Sequence, residues 1–389
     1  MNIPNLMPYQ NDPYNNDIFA QQEAMFLMKK WNLKKACETG TCLGSTTMFL
    51  ANMFECVSTI EISHQYLGIA HQRFEQGGYK NIKVYRGDSG NELRLMIKEN
   101  QLADNTLFFL DSHWSNHCPL LDELDQIAEA GIKPVIMIHD WKVPKESRLG
   151  YDSYNGQEFT TEWIVPHLNK IYGEGGYDYY YNSEDKASGA MRGIIYITPK
   201  QRVTLLVGVY QSGNEKRDNE LSYCMDKNIE NPLIDEIVPY ADRPTFNQLF
   251  RMANEKVSKP TDITIIANSD IFFDEEAIRN IKRYIQKNTC FALSRWDVKD
   301  NFASLFNRAD SQDVWAFQGE IPYIEGADFT LGIGGCDNKI AYLLNESGYR
   351  VINPAQSIRC YHVHDSNYRT YTSEDRLTPP FKLLPTIKL

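Results

Sequence analysis

The sequence predicts an α/β protein built from two domains. Three observations predict it. The chain has 389 residues, too many for one ordinary core and comfortable for two. Apolar stretches of strand length alternate with stretches of helical spacing from residue 18 to residue 198, the rhythm of a parallel sheet wrapped by helices. After Pro199-Lys200 the same rhythm starts again, which sets the domains at 1–200 and 201–389, with almost no linker.

The elements follow in order. Ile18 to Trp31 carries apolar residues at helical spacing. Ala36-Cys37 leads through a glycine-rich turn into a helix from Ser45 to Phe54. Strands are expected at Val57–Ile62, Ile82–Tyr85, Thr106–Leu110, Pro134–Ile138 and Gly193–Thr198, with helices at Gln65–Gln76 and Pro119–Glu129. In the second half, strands are expected at Val203–Tyr210, Ile234–Val238 and Ile263–Ala267, and helices at Asn219–Asn228 and Thr245–Glu255. Asp274, Glu275 and Glu276 precede AIRNIKRYIQK, where acids in a first helical turn favour the helix dipole.

Composition narrows the class. The apolar fraction, 42%, is ordinary for a globular chain. Net charge is −11 and no long Lys/Arg run is present, so no nucleic-acid partner is expected. The polar start MNIPNLMPYQNDPYNND lacks a basic region followed by an apolar one. No stretch reaches about 18 apolar residues, so no transmembrane segment is expected. Eight cysteines without a CxxC pair suggest a cytoplasmic protein with reduced thiols. Oligomeric state, including a homo-oligomer, is left open.

The chemistry-bearing residues of the first half sit at strand ends. In CETGTCLGST, Glu38, Gly40 and Gly44 lie between a strand and a helix, where small residues let the backbone approach a ligand. Glu61 ends the next strand, placed to accept two ribose hydroxyls, and Asp88 ends the third, within reach of an adenine amine. Glycines in such a turn also serve tight turning alone. The stretch from about 20 to 198 resembles the class I S-adenosylmethionine-dependent methyltransferases, whose E-x-G-x-x-x-G motif ETGTCLG fits; the G-x-G-x-x-G register of a competing NAD-binding fold is absent.

Further on, LFFLDSHWSNH and VIMIHDW each end a strand with an acid and a histidine. Neighbouring parallel strands would bring Asp111, His113, His139 and Asp140 together at the carboxyl edge, where two carboxylates and two imidazoles can hold a divalent cation, Mg²⁺ or Mn²⁺. This is similar to metal-dependent O-methyltransferases acting on sugar hydroxyls. The resemblance implies metal binding by Asp111 and Asp140, with His113 and His139 as candidate bases. The segment after Asp140, with Tyr151, Asp152 and Tyr154, reads as a lid over the acceptor.

In the second half, the strand DITIIA runs into Asn268-Ser269-Asp270. A strand ending in a degenerate D-x-D resembles the GT-A glycosyltransferases, where the acid holds a metal that neutralises a leaving diphosphate. The resemblance, over about 203–370, implies metal binding by Asp270 with His364, and His362 second, in CYHVHDSNYR. It implies Asp337 of GIGGCDNKIAYLLNESGYRV as general base, and a UDP- or GDP-sugar donor. Arg243 is a candidate for a phosphate or base. Arg295, Trp296, Asp313 and Trp315 suit a sugar site, although the tryptophans equally suit a core.

The expectation is a Rossmann-like S-adenosylmethionine domain followed by a GT-A-like nucleotide-sugar domain. Together they would form a bifunctional enzyme that transfers a sugar and O-methylates a sugar hydroxyl on a glycan acceptor. Three alternatives stay open: a single-activity methyltransferase with a non-catalytic carbohydrate- or nucleotide-binding second domain, a nucleotidyl transferase, and a non-catalytic carbohydrate-binding protein.

Overall fold

The computed structural model describes residues 11–99, 101–113, 116–300, 302–364, 366 and 376–389. The first ten residues of the polar start, residues 114–115 of the first acid–histidine motif, and residues 100, 301, 365 and 367–375 lie outside the described residues. The chain divides into two compact units, residues 1–200 and 201–389. Among the described residues, no helix is long and apolar enough to cross a membrane.

The first unit is a seven-stranded sheet. A 3₁₀ turn, Pro13–Asn16, precedes α1 (Ile18–Lys30), capped by Asp17, whose carboxylate accepts from the Phe19 and Ala20 amides. There follow β1 (Lys35–Thr39), α2 (Ser45–Ala51), β2 (Cys56–Glu61), α3 (His64–Gln76), β3 (Ile82–Arg86), α4 (Ser89–Lys98), β4 (Thr106–Leu110), α5 (Leu120–Glu129), β5 (Val135–His139), a two-residue hairpin of β6 (Ser153–Tyr154) and β7 (Gln157–Glu158), α6 (Thr161–Tyr172), β8 (Tyr177–Tyr181) and β9 (Ile194–Pro199). Strand order is β3-β2-β1-β4-β5-β9-β8. β1 to β5 run parallel, while β9 is antiparallel to both β5 and β8. β4 and β5 are buried at every position, as strands covered on both faces must be. Helix α6 was not foreseen because Pro166, inside it, reads as a breaker. Strand β8, YDYYY, lacks a clear apolar alternation.

The second unit begins with β10 (Val203–Gly208), α7 (Glu215–Ile229), β11 (Glu236–Tyr240), α8 (Phe246–Asn254) and β12 (Ile263–Ala267). It continues with β13 (Ile271–Phe273), α9 (Glu275–Tyr284), β14 (Thr289–Leu293), β15 (Trp296–Lys299), β16 (Phe302–Leu305), β17 (Val314–Gln318), α10 (Cys336–Glu346), β18 (Arg350–Ile352) and β19 (Cys360–His362). One sheet has the order β11-β10-β12-β17-β14-β18, and a second has β13-β19-β15-β16. β10, β11 and β12 are parallel; β17 runs antiparallel between β12 and β14. β11 starts two residues later than expected and contains Pro239. It tolerates the proline because it is an edge strand. Asp274 caps α9, accepting from Ala277 N at 2.8 Å. Trp315 is fully buried against Phe246, edge to face at 5.3 Å, so the core reading of this tryptophan holds and the sugar-stacking one does not.

Candidate active sites

In the first unit, strand order reverses between β1 and β4, and the crevice outside their carboxyl ends is where such sheets bind ligands. A cavity of about 590 Å³ lies there. Its geometry starts at Gly40, with φ +83°; a Cβ there would lie 2.2 Å from the Asp111 carbonyl oxygen. Only glycine combines that backbone with that approach. Gly44, φ +75°, does not line the cavity. A Cβ there would meet the Phe74 ring at 2.5 Å, so this glycine packs α2 against α3.

Glu38 lines the cavity and accepts from Thr59 Oγ1 at 2.8 Å and from Thr47 Oγ1, tying β2 to α2. Burial pushes its pKa up to about 8. Glu61 accepts from Cys42 N and Ser63 N, each at 2.8 Å, which fixes its carboxylate at the cavity wall. Asp88 caps α4 through Asn91 N, and its second oxygen is 2.8 Å from His117 Nε2. Asp88 lines the cavity beside His117.

Beyond Gly40 lies the acid–imidazole cluster. His113 Nε2 is 3.0 Å from Asp140 Oδ2, and His139 Nδ1 is 3.2 Å from Asp111 Oδ1 and 3.3 Å from Asp140 Oδ1. Burial alone would lower the pKa of His139, but Asp140 and Asp111 outweigh it and hold the imidazole well above its ordinary value. His113 is raised by the same balance of burial against Asp140 and Asp111. Burial opposes ionisation of Asp140, yet His139 and His113 hold it well below the usual carboxylate range. His139 does not line the cavity. His113 lines the cavity and keeps the role of base open.

Two residues complete the cluster. Arg192 donates to Asp140 Oδ1 and to Asp152 Oδ1. Sequence reasoning missed Arg192 because β5 and β9 pair antiparallel with His139 opposite Ile194, a register that puts Arg192 beside Asp140. The segment after Asp140, expected as a lid, is tied down by backbone bonds. Lys142 N donates to Phe159 O, Asp152 N to Asp140 O, and Gly150 N to Met191 O. Tyr151 donates to Glu158 and Tyr154 stacks on Phe159; only Asp152 of the three expected residues lines the cavity.

These residues fit a divalent cation. Ligand atoms of Asp111, His139 and Asp140 lie within 4.8 Å of one another, as do those of His113, Asp140 and Asp152. His139 Nδ1 is buried without a well-aligned hydrogen bond. A mixed oxygen and nitrogen set suits Mn²⁺ and similar metals better than Mg²⁺.

In the second unit, a cavity of about 730 Å³ opens at the ends of β10 and β12. The turn Asn268-Ser269-Asp270 joins β12 to β13, with Ile271 N donating to Asn268 O at 3.2 Å. Asp270 Oδ2 meets one guanidinium and two imidazoles: Arg217 Nη2 at 2.6 Å, His362 Nε2 at 3.2 Å and His364 Nδ1 at 3.5 Å. Burial would raise Asp270, but His362, His364 and Arg217 hold it well below its ordinary value. Asp270, His362 and His364 also converge as a ligand set within 4.8 Å. One carboxylate and two imidazoles fit a cation, provided the Arg217 guanidinium shares the carboxylate.

Asp337 is the second residue of α10, in its first turn behind the cap Gly335, φ +83°, and lines this cavity. Gln312 N donates to it at 3.4 Å. Burial and then Asp313 push its pKa up to about 7. Arg243, Arg295 and Asp313 line the same cavity. Trp296 does not: its Nε1 donates to Ala355 O and Arg359 covers its ring at 4.6 Å. Arg217 is the residue missed here. It stands in the loop-to-helix stretch YQSGNEKR, at the first turn of α7, and only the tertiary pairing with Asp270 reveals it.

No family model matches the chain, and no curated protein matches it. Solved structures match about half of the chain, in its N-terminal part. An O-methyltransferase from Bacillus cereus in complex with SAH is similar at 17% identity, covering 50% of this chain and 85% of its own, with a TM-score of 0.38. A SAM-dependent methyltransferase from Aquifex aeolicus is similar at 17% identity, covering 49% and 95%, with a TM-score of 0.33. The O-methyltransferase TomG from Streptomyces achromogenes, involved in tomaymycin synthesis and in complex with SAM, is similar at 12% identity, covering 47% and 78%, with a TM-score of 0.34.

Proposed function

We propose that the chain is a two-site transferase of glycan building: the first unit methylates a sugar hydroxyl from S-adenosylmethionine, and the second transfers a sugar from a UDP- or GDP-sugar, in the cytoplasm. One observation carries this reading. Each unit opens a nucleotide-sized cavity at the carboxyl edge of its parallel strands, and each cavity holds its own carboxylate–imidazole cluster.

In the first cavity, Gly40 lets the ligand approach the backbone and Glu61 presents a carboxylate to ribose hydroxyls. The acceptor oxygen attacks the sulfonium methyl, S-adenosylhomocysteine leaves, and His113 takes the hydroxyl proton. Asp140, 3.0 Å away, stabilises the resulting imidazolium. In the second cavity, the acceptor oxygen bonds to the sugar carbon as the bond to the diphosphate breaks, and Asp337 takes the proton. Arg243 and Arg295 supply positive charge to the diphosphate end. A divalent cation, bound by Asp111, His139 and Asp140 or by Asp270, His362 and His364, would acidify the acceptor hydroxyl at the first site and neutralise the leaving diphosphate at the second.

A second reading is methyl transfer alone, with a carbohydrate- or nucleotide-binding second unit. Arg217 favours it, because a built-in guanidinium already occupies Asp270 at 2.6 Å. Calorimetric titration with S-adenosylhomocysteine, then with UDP and GDP in the presence of Mn²⁺, separates the readings. Binding of the thioether and of one nucleotide at independent sites is expected. Thioether binding alone would leave the second reading standing, and no binding by folded protein would remove both.

A further inference from the structure

The first cavity has a wall that neither strand ends nor motifs explain. Asp12 and Asn15, from the turn ahead of α1, line it. Three consecutive non-glycine residues there, Tyr14, Asn15 and Asn16, have φ of 51°, 51° and 63°, a left-handed run that persists only where its surroundings enforce it. The surroundings do so on two sides. Toward α2, Tyr14 N donates to Thr46 Oγ1 at 2.9 Å, and Ser45 Oγ donates to Asn11 O at 2.9 Å. Toward β9, Ala190 N donates to Asn15 O at 3.1 Å, and Ser188 Oγ donates to Asn16 O at 3.1 Å. The Tyr14 ring plugs the core, edge to face on Phe109 at 4.7 Å and on Phe49 at 5.8 Å. Gly189 is the seat. A Cβ there would lie 2.2 Å from Asn15 O, and its φ is +62°.

The turn is thus a strap fixed between the first turn of α2 and residues 188–190, with Asp12 and Asn15 on the cavity wall. The Asp12 carboxylate caps no amide of the turn. A carboxylate accepts from an ammonium and a carboxamide donates to a carboxylate, which together match the two ends of an α-amino acid. Ser45, Thr46 and Ala190, which the strap touches, line the same part of the cavity wall.

We propose that residues 11–17 are a strap that binds the amino-acid end of the S-adenosyl ligand through Asp12 and Asn15, with Gly189 as the positioning residue that seats it. The proposal rests on the S-adenosyl reading of this cavity.

The test compares two probes on the full chain: S-adenosylhomocysteine, and methylthioadenosine, which lacks the amino-acid end. Asn15→Gly keeps the left-handed backbone while removing the carboxamide, and Asp12→Asn removes the charge. Each is expected to weaken S-adenosylhomocysteine about tenfold and to leave methylthioadenosine within about twofold. Gly189→Ala should weaken the first probe at least as much; if it fails to fold, the two side-chain variants still decide. Equal loss for both probes would make the strap structural only, and no loss for either would also overturn the proposal. If the unaltered protein bound neither probe, the S-adenosyl reading itself would fall, an outcome distinct from the other two.

Discussion

Single carboxylates set the testable chemistry. Asp337 has its pKa pushed up to about 7 by burial and Asp313. Between the ordinary carboxylate range and about pH 7, the folded chain holds a proton that the unfolded chain has released. Folding stability therefore falls as pH rises through that window and stays lower above it. Base catalysis needs the ionised form, so glycosyl transfer should rise over the same window. Asp337→Asn should flatten the stability profile and abolish transfer; an unchanged denaturation profile across pH would count against this assignment. Asp270 is tied at 2.6 Å to Arg217, and both are buried, at 8% and 4% exposure. Removing one partner of such a pair strands the other charge, so Asp270→Ala should cost about 3–5 kcal/mol in denaturant unfolding. A loss below about 1 kcal/mol, typical of a surface pair, would mean that Arg217 finds water instead. Residue identity made Asp270, Asp337 and the four acid and histidine residues of the first cluster legible in the sequence. Arg217 and Arg192 were not legible, since each earns its place only from a partner 53 or 52 positions away.

At the scale of elements, the turn between β1 and α2 is the most constrained. Gly40→Ala adds a Cβ 2.2 Å from a backbone oxygen at φ +83°. The turn must move, and S-adenosylhomocysteine affinity should drop by about tenfold or more, roughly 1.4 kcal/mol, in calorimetry. Wild-type affinity in that variant would remove the glycine from the ligand site. Strand positions were readable where apolar runs were continuous: β4 and β12 fall where the sequence put them, at Thr106–Leu110 and Ile263–Ala267. Elements shaped by local exceptions were not. Pro166 hides α6, and Pro239 hides the end of β11. The segment after Asp140 reads as a lid from its length and lack of periodicity, and it is pinned by backbone bonds to Asp140, Phe159 and Met191. Such bonds leave no periodic trace.

At the scale of the whole molecule, four apolar clusters form the cores among the described residues, two in residues 1–200 and two in 201–389. Each unit should therefore fold alone. Fragments ending at Lys200 and starting at Gln201 should each give native-like circular dichroism and a cooperative thermal transition. A molten first fragment would show that its core depends on the second.

The sequence by itself determined the α/β class, the restart of the βα rhythm after Pro199-Lys200, and the acids and histidines at strand ends. These follow from hydrophobic period and from local residue chemistry, which are written along the chain. Only the tertiary structure decided which cations face Asp140 and Asp270, that Trp315 belongs to the core, and that Asp12 and Asn15 line the first cavity. Those facts depend on register, on antiparallel pairing and on backbone bonds between distant residues, and none of these leaves a mark in the local order of amino acids.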